Sequence, residues 1–345
     1  MTTTINNHKA YDSYSFRKNT IHELKSKLIF EAACFTTVDP HTLLSTGAVT
    51  DGRIEKIHSR LFESEYLTDD YNSFIVLAKS TKPIALLSQS TEGELRRSRR
   101  YRDILLPTGF GDELRAALMY RGMCWGFLTL FRSTDQGLFS NDELKQLSYL
   151  IPSIAQSLQT FSLRPPKLIQ KQSFESGILI LNDSFNILSS NAAAESLLEW
   201  LRDREKVESH ILPRPIRAIC SQAKANAIIR NRDAEKAKLC IRMSDSTFLS
   251  IHASKLNGTT SQFAVMTEQA KPQEVVALLY ETYDLSSREK QLVNQLLYGH
   301  STKHIAETLS ISVYTVQDHL KSIFMKTGVR SRRELISLLL SHYKI

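Results

Sequence analysis

LSSREKQLVNQLLYGHSTKHIAETLSISVYTVQDHLKSIFMKTGVRSRRELISLLLSHYKI, Leu285 to Ile345, sorts its apolar residues into four short helical patterns with tight connections. Ser286 and Glu289 have the spacing of a capping box, which satisfies orphan backbone N–H groups at a helix start. Leu292, Val293, Leu296 and Leu297 then share one face. Gly299 can take the left-handed conformation that ends a helix. Ser301 can cap a second helix that carries Ile305, Ala306 and Leu309. Ser310-Ile311-Ser312 is the turn, with Ile311 filling the angle between helices and Ser312 free to cap a third.

That third helix sorts by face. Val316, Leu320, Ile323 and Phe324 recur at helical spacing and must face a core. Gln317, Asp318, Lys321 and Ser322 are left on an outer ridge near the helix N-terminus, where a recognition helix carries its base-reading side chains. Their chemistry suits base edges, since Lys donates to guanine, Gln pairs with adenine, and Asp accepts from cytosine. Asp318 has an alternative role, because Lys321 at i+3 can hold it on the same face. Lys303, Ser312, Tyr314, Thr315, Arg330, Arg332 and Arg333 sit where phosphate contacts are expected, and such contacts position rather than specify. A fourth helix opens with a second capping box, Ser331 and Glu334, and runs through Leu335, Leu338 and Leu339. One of its faces closes the small core. The rest is more apolar than a monomer should expose and reads as a dimer surface.

Leu285-Ser-x-Arg288-Glu289, Gly299-His-Ser301, Ile305-Ala306-x-x-Leu309, Thr315-Val316-x-x-His319-Leu320, Lys326-x-Gly328-Val329 and Ser331-Arg332-x-Glu334-Leu335 together resemble the LuxR-type, or GerE/NarL-type, DNA-binding domain. The resemblance implies that the third helix enters the major groove of duplex DNA with Gln317, Asp318 and Lys321 facing bases. It also implies that the fourth pairs two protomers on an inverted repeat in a promoter, so Leu335, Leu338 and Leu339 become the candidate dimer contacts. RNA polymerase is a further candidate partner. Many members carry a neutral or basic residue where this chain has Asp318, so its base preference cannot be borrowed.

The 345 residues suggest two to three domains, and 42% hydrophobic with 23% charged residues is ordinary soluble composition. The net charge of +8 favours an anionic partner. Cys34, Cys124, Cys220 and Cys240 are scattered with no metal-ligand or disulfide spacing. The absence of a signal-peptide pattern and of a long apolar run points to a cytoplasmic protein without membrane attachment.

The rest of the chain reads as α+β. Residues 1–18 are polar and are expected to form a flexible tail. Thr20 and Glu23 are spaced as a capping box for a first helix, and ACFTTVDP and LLSTGAV read as strands around Asp39-Pro40. A helix over Arg53–Tyr66 follows, then strands in IALLS, ELRAALMYR and CWGFLTLFR. Ser140 and Glu143 cap a long closing helix. Val38-Asp39-Pro40, Ser98-x-x-Tyr101-Arg102-Asp103, Gly109-x-Gly111-Asp112-Glu113-Leu114-Arg115 and Gly126 give residues 19–162 a resemblance to a GAF domain. The resemblance implies a small-molecule site or a dimerising module. The cluster Arg96, Arg97, Arg99, Arg100 and Arg102 has three readings: a segment paired with nearby acids, an anionic-ligand contact, or a DNA contact.

Leu163-Arg-Pro-Pro-Lys167 reads as a linker. Beyond it, Gly177-Ile-Leu-Ile-Leu-Asn182-Asp183, Ser190-Asn191-x-Ala193-Ala194-Glu195-x-Leu197-Leu198 and three serial strands give residues 168–268 a resemblance to a PAS core. Flavin photosensors of that class need an Asn-Cys-Arg-Phe motif, which this chain lacks, and His210 and His252 read as structural histidines rather than haem ligands. No cofactor is therefore expected. Residues 271–284 read as a linker helix, and 285–345 as the all-α four-helix output domain. The expected function is a dimeric, sequence-specific transcriptional regulator, with an unidentified small molecule as candidate effector. The competing class is a sensor or scaffold whose last domain docks protein. An enzyme is not expected, because no nucleophile–base pair stands out.

Overall fold

The computed structural model describes residues 12–163, 175–229, 237–243 and 248–340. The chain forms a first compact unit that carries two β-sheets, and a second, from Gln269 onward, that is helical.

The first sheet belongs to the elements α1 (Ser13–Lys25), β1 (Ala32–Val38), β2 (Ser45–Thr50), α2 (Gly52–Leu67), α3 (Phe74–Lys79), β3 (Ile84–Leu86), α4 (Leu87–Ser90), β4 (Phe110–Tyr120), β5 (Met123–Ser133) and α5 (Asn141–Leu163). Its strands are antiparallel in the order β2-β1-β5-β4-β3. β4 and β5 are buried almost without alternation, because both faces of the sheet are covered. Phe16, Phe35, Leu128, Leu147 and Ile154 fill the side that α1 and α5 cover. Ile54, Ile57, Phe110 and Phe131 fill the side of α2. Gly126 lies where a Cβ would come 2.5 Å from the Thr36 carbonyl oxygen. Gly126→Ala is therefore expected to destabilise the sheet by about 1–3 kcal/mol through overpacking, read as a lowered midpoint in urea.

The N-terminal helix begins earlier than the sequence predicts. Asp12 caps it, accepting from Ser15 N at 2.7 Å. Residues 13–18 are therefore helix rather than tail, and Thr20 sits inside it with its hydroxyl bonded back to the Phe16 carbonyl at 2.9 Å. The physical reason is Arg17, whose buried guanidinium donates to the carbonyls of Phe35 at 3.2 Å and Gly47 at 3.1 Å. Those partners are distant in sequence, so local polarity does not reveal them. Residues 1–11 and most of the proline-containing linker lie outside the described residues.

The second sheet follows from β6 (Gly177–Asn182), β7 (Ile187–Ser190), α6 (Ala192–Glu205), α7 (Arg214–Ile229), β8 (Lys238–Arg242), β9 (Phe248–Leu256) and β10 (Gln262–Gln269), in the order β7-β6-β10-β9-β8. An Asn-Asp-Ser turn joins β6 to β7: the Asn182 side chain accepts from Ser184 N at 3.0 Å and Asn186 N at 2.9 Å. Asn191 caps α6 through Ala194 N at 3.0 Å.

The two sheets share a polar interior that the sequence does not announce. Arg214 opens α7 with a side chain only 1% exposed. It bridges Glu205 at 3.2 Å, the Thr50 hydroxyl at 2.9 Å and Glu55, so α7 is tied to β2 and α2 of the first sheet. Arg217 donates to His58 Nδ1 at 3.0 Å, and Cys240 N donates to Asp39 at 2.9 Å. The arginine cluster also resolves in part. Arg97 pairs with Glu92 and Glu94, and buried Arg100 pairs with Glu113 at 2.7 Å.

Candidate nucleic-acid interface

The second unit contains α8 (Pro272–Thr282), α9 (Ser287–Leu297), α10 (Thr302–Thr308), α11 (Val313–Thr327) and α12 (Arg332–Leu340). The caps form where the sequence places them. Ser286 accepts from Glu289 N at 3.3 Å while Glu289 accepts from Ser286 N at 2.6 Å. Ser301, Ser312 and Ser331 accept from His304 N, Thr315 N and Glu334 N at 3.3, 3.0 and 3.2 Å. Gly299 and Gly328 take φ of 82° and 72°, which lets the backbone leave α9 and α11 without a Cβ clash. Leu292, Val293, Leu296, Ile305, Val316 and Ile323 are buried between these helices.

Glu289 fixes α11 to α9. Its carboxylate is almost fully buried and accepts from Lys326 Nζ and Ser322 Oγ, each at 2.7 Å, besides capping its own helix. Burial alone would raise its pKa, but the bonds from Lys326, Ser322 and Ser286 outweigh burial and hold the carboxyl at about 2. Ser322 is thus turned inward to Glu289 and leaves the outer ridge on which its spacing placed it.

The remaining ridge is exposed as expected: Gln317, Asp318 and Lys321 all reach solvent on α11. Lys321 Nζ donates to Asp318 at 3.2 Å, so the two charges of the ridge are paired. Tyr314 stands 80% exposed at the start of the helix, and Met325, to which the sequence pattern gives no role, is equally exposed near its end. Lys303 on α10, Arg330 and Arg333 are exposed; Arg330 N donates to Glu334 at 2.8 Å. Ser312 and Thr315 are joined at 2.8 Å between their hydroxyls. Arg332 is half-buried and donates to the His300 carbonyl at 2.7 Å, which ties it to the turn between α9 and α10.

Two of the three candidate dimer residues lie inside this unit. Leu335 and Leu339 are 0% and 1% exposed, and Leu338 is half-buried. The cause is α8, which is more than the linker its sequence suggests. It packs against α12 and covers the apolar face that seems surplus in the sequence. It is also held to α9, through Tyr280 Oη to Asn294 at 2.7 Å and Lys290 to Glu281 at 2.8 Å.

Residues 284–339 match the bacterial regulatory proteins of the luxR family. This part of the chain is a LuxR-type helix-turn-helix domain. The chain is 45% identical over 53 residues to the monoamine regulon transcriptional regulator of Klebsiella aerogenes, covering 15% of this chain and 23% of that protein. It is 42% identical over 53 residues to the CsgBAC operon transcriptional regulatory protein of Escherichia coli K12, covering 15% and 24%. The chain therefore spans about a quarter of the length of the curated relatives it matches. Among solved structures, Escherichia coli SdiA aligns over 94% of this chain and 90% of its own at 11% identity, with a TM-score of 0.29. No helix among the described residues is long and apolar enough to cross a membrane. The LuxR-type domain makes the chain similar to DNA-binding transcriptional regulators through its last part alone.

Proposed function

We propose that the chain is a sequence-specific transcriptional regulator. In this reading α11 enters the major groove, and Gln317, Asp318 and Lys321 read bases. Lys303, Ser312, Tyr314, Thr315 and Arg330 hold phosphates, while Arg332 orients the turn that it bonds. The observation that carries the reading is the capped α10–α11 pair presenting a polar ridge, in the residues that match the LuxR family. The first unit then sets dimer geometry or senses a small molecule. Its two sheets share one strand order, which supports the GAF-like and PAS-like readings of residues 19–162 and 168–268. Binding as a dimer to an inverted repeat rests on the family resemblance, and with Leu335 and Leu339 buried the contact must use other residues.

Selection of binding sites from random duplex by the full-length chain tests this. Two half-sites in inverted orientation are expected. Lys321→Ala should cost about 1–3 kcal/mol at the selected site and relax one base position, whereas Lys303→Ala should weaken all sequences alike and flatten the salt slope by about one. Footprints identical to wild type for both variants would remove α11 from the groove. A protein partner is the second reading, favoured by Tyr314 and Met325, each 80% exposed on α11. It predicts no selected sequence at all.

A further inference from the structure

The polar ridge of α11 carries one carboxylate and one ammonium, and the two are joined. Lys321 Nζ donates to Asp318 Oδ1 at 3.2 Å, and the side chains are 75% and 74% exposed. Neither bonds to any other group among the described residues. An exposed pair three residues apart on a helix adds little to stability. It does present a defined set of free groups. An ammonium has three N–H donors, and with one spent on Asp318 two remain. The carboxylate keeps Oδ2 as a free acceptor. The ridge therefore offers two donors beside one acceptor oxygen.

The major-groove edge of a guanine–cytosine pair is the complement of that set. Guanine presents two adjacent acceptors, N7 and O6, and cytosine presents one donor, the N4–H that the base pair leaves free. O6 and N4 are hydrogen-bonded to each other across the pair, so they stand about 2.9 Å apart. The 3.2 Å between Nζ and Oδ1 repeats that spacing with the polarity reversed.

The order of the groups decides against the alternatives. An adenine–thymine pair also has two acceptors and one donor, but adenine N6–H lies between adenine N7 and thymine O4. An ammonium tied to a carboxylate does not reach both acceptors past that donor. It loses one contact, and the carboxylate on N6 is left against a second acceptor. Turning the guanine–cytosine pair over sets the carboxylate against guanine N7, acceptor on acceptor. Count, spacing and order thus fit one base pair in one orientation.

We propose that Asp318 and Lys321 act as one reading unit for a single guanine–cytosine pair, with Lys321 on guanine N7 and O6 and Asp318 on cytosine N4–H. The unit joins two roles of Asp318 that the sequence leaves as alternatives, base contact and partner of Lys321. The proposal rests on α11 lying in the major groove and deepens that reading by naming what the ridge recognises.

The test is binding-site selection from random duplex by the full-length chain and its variants, followed by competition with each position of the selected site changed in turn. Wild type should select guanine–cytosine at one position of the half-site and lose about ten- to a hundredfold in affinity when that pair alone becomes adenine–thymine. Lys321→Ala and Asp318→Ala should each remove most of that discrimination, both at the same position. The double variant should discriminate no worse than either single one, because the side chains act together. Asp318→Asn should keep binding but admit adenine–thymine there, since a side-chain amide pairs with adenine N6 and N7. Asp318→Ala that relaxes a neighbouring position overturns the proposal while leaving α11 in the groove. So does Asp318→Ala that strengthens all sequences alike, which would make Asp318 only a negative charge near the phosphates. Additive losses in the double variant overturn it as well, as the mark of two independent contacts. A wild-type chain that selects no sequence removes the groove reading itself, and the proposal with it.

Discussion

Arg214→Ala should destabilise the first unit by about 3–5 kcal/mol, the range for breaking a buried ion pair by removing one partner. The guanidinium is 1% exposed and satisfies Glu205, Glu55 and Thr50 together. Its loss leaves the Glu205 carboxylate, 3% exposed, without its main counter-charge. Burial already pushes the Glu205 carboxyl up, against the pull of Arg214, so the variant is expected to take up a proton there. Lys at this position should not rescue, because an ammonium cannot fork between three acceptors as a planar guanidinium does. The double replacement Arg214→Met with Glu205→Leu should recover much of the loss, since apolar residues of similar volume often substitute for a buried pair at little cost. Urea unfolding followed by far-ultraviolet circular dichroism measures all three. A loss below about 1 kcal/mol for Arg214→Ala would mean that the ion cluster does not hold the sheets together.

The second large effect is expected at Glu289. A carboxyl lowered from 4.5 to about 2 on folding contributes on the order of 3 kcal/mol at neutral pH. The sign follows from the direction of the change: the contribution is complete above the unfolded value of 4.5 and is lost as pH falls from there toward 2. Glu289→Gln should therefore accelerate hydrogen exchange in α9 and α11 strongly at pH 7. The gap from wild type should narrow below about pH 4.5 as the native carboxylate itself protonates. A gap of constant size between about pH 6 and pH 3 would show that the charge on Glu289 is not what anchors α11. With α11 in the groove as proposed, DNA affinity should fall with the same variant, because the exposed ridge is carried by the helix that Glu289 holds.

Legibility in the sequence differs between the units for a physical reason. Caps, left-handed glycines and the faces of α9 to α11 are local features with spacings of three or four residues, and the structure forms them at Ser286, Ser301, Ser312, Gly299 and Gly328. Contacts between distant residues are what escape. Arg17 resembles part of a tail because its carbonyl partners, Phe35 and Gly47, lie 18 and 30 positions away. Ser322 resembles a surface residue because Glu289 is 33 positions away. Leu335 and Leu339 look surplus because the pattern of α12 does not say that α8 folds back on it. Arg214 and Arg217 belong to a stretch whose plain character is basic, although both are buried. One signal is available: arginines spaced at i, i+3 on a helix with Ile216, Ile219 and Cys220 around them share the face that must be buried.

The ion cluster around Arg214 also decides which part of this protein is interchangeable. A shuffled gene that cut the chain between the two sheets would leave Glu55 and His58 on one product and Arg214 and Arg217 on the other, each a charged or polar group shaped for an interior. Neither piece would keep a surface suited to water. The transferable piece is both sheets as a single cassette, ending near Glu268, and exchanges between chains that share this architecture should succeed at that boundary and fail at the earlier one.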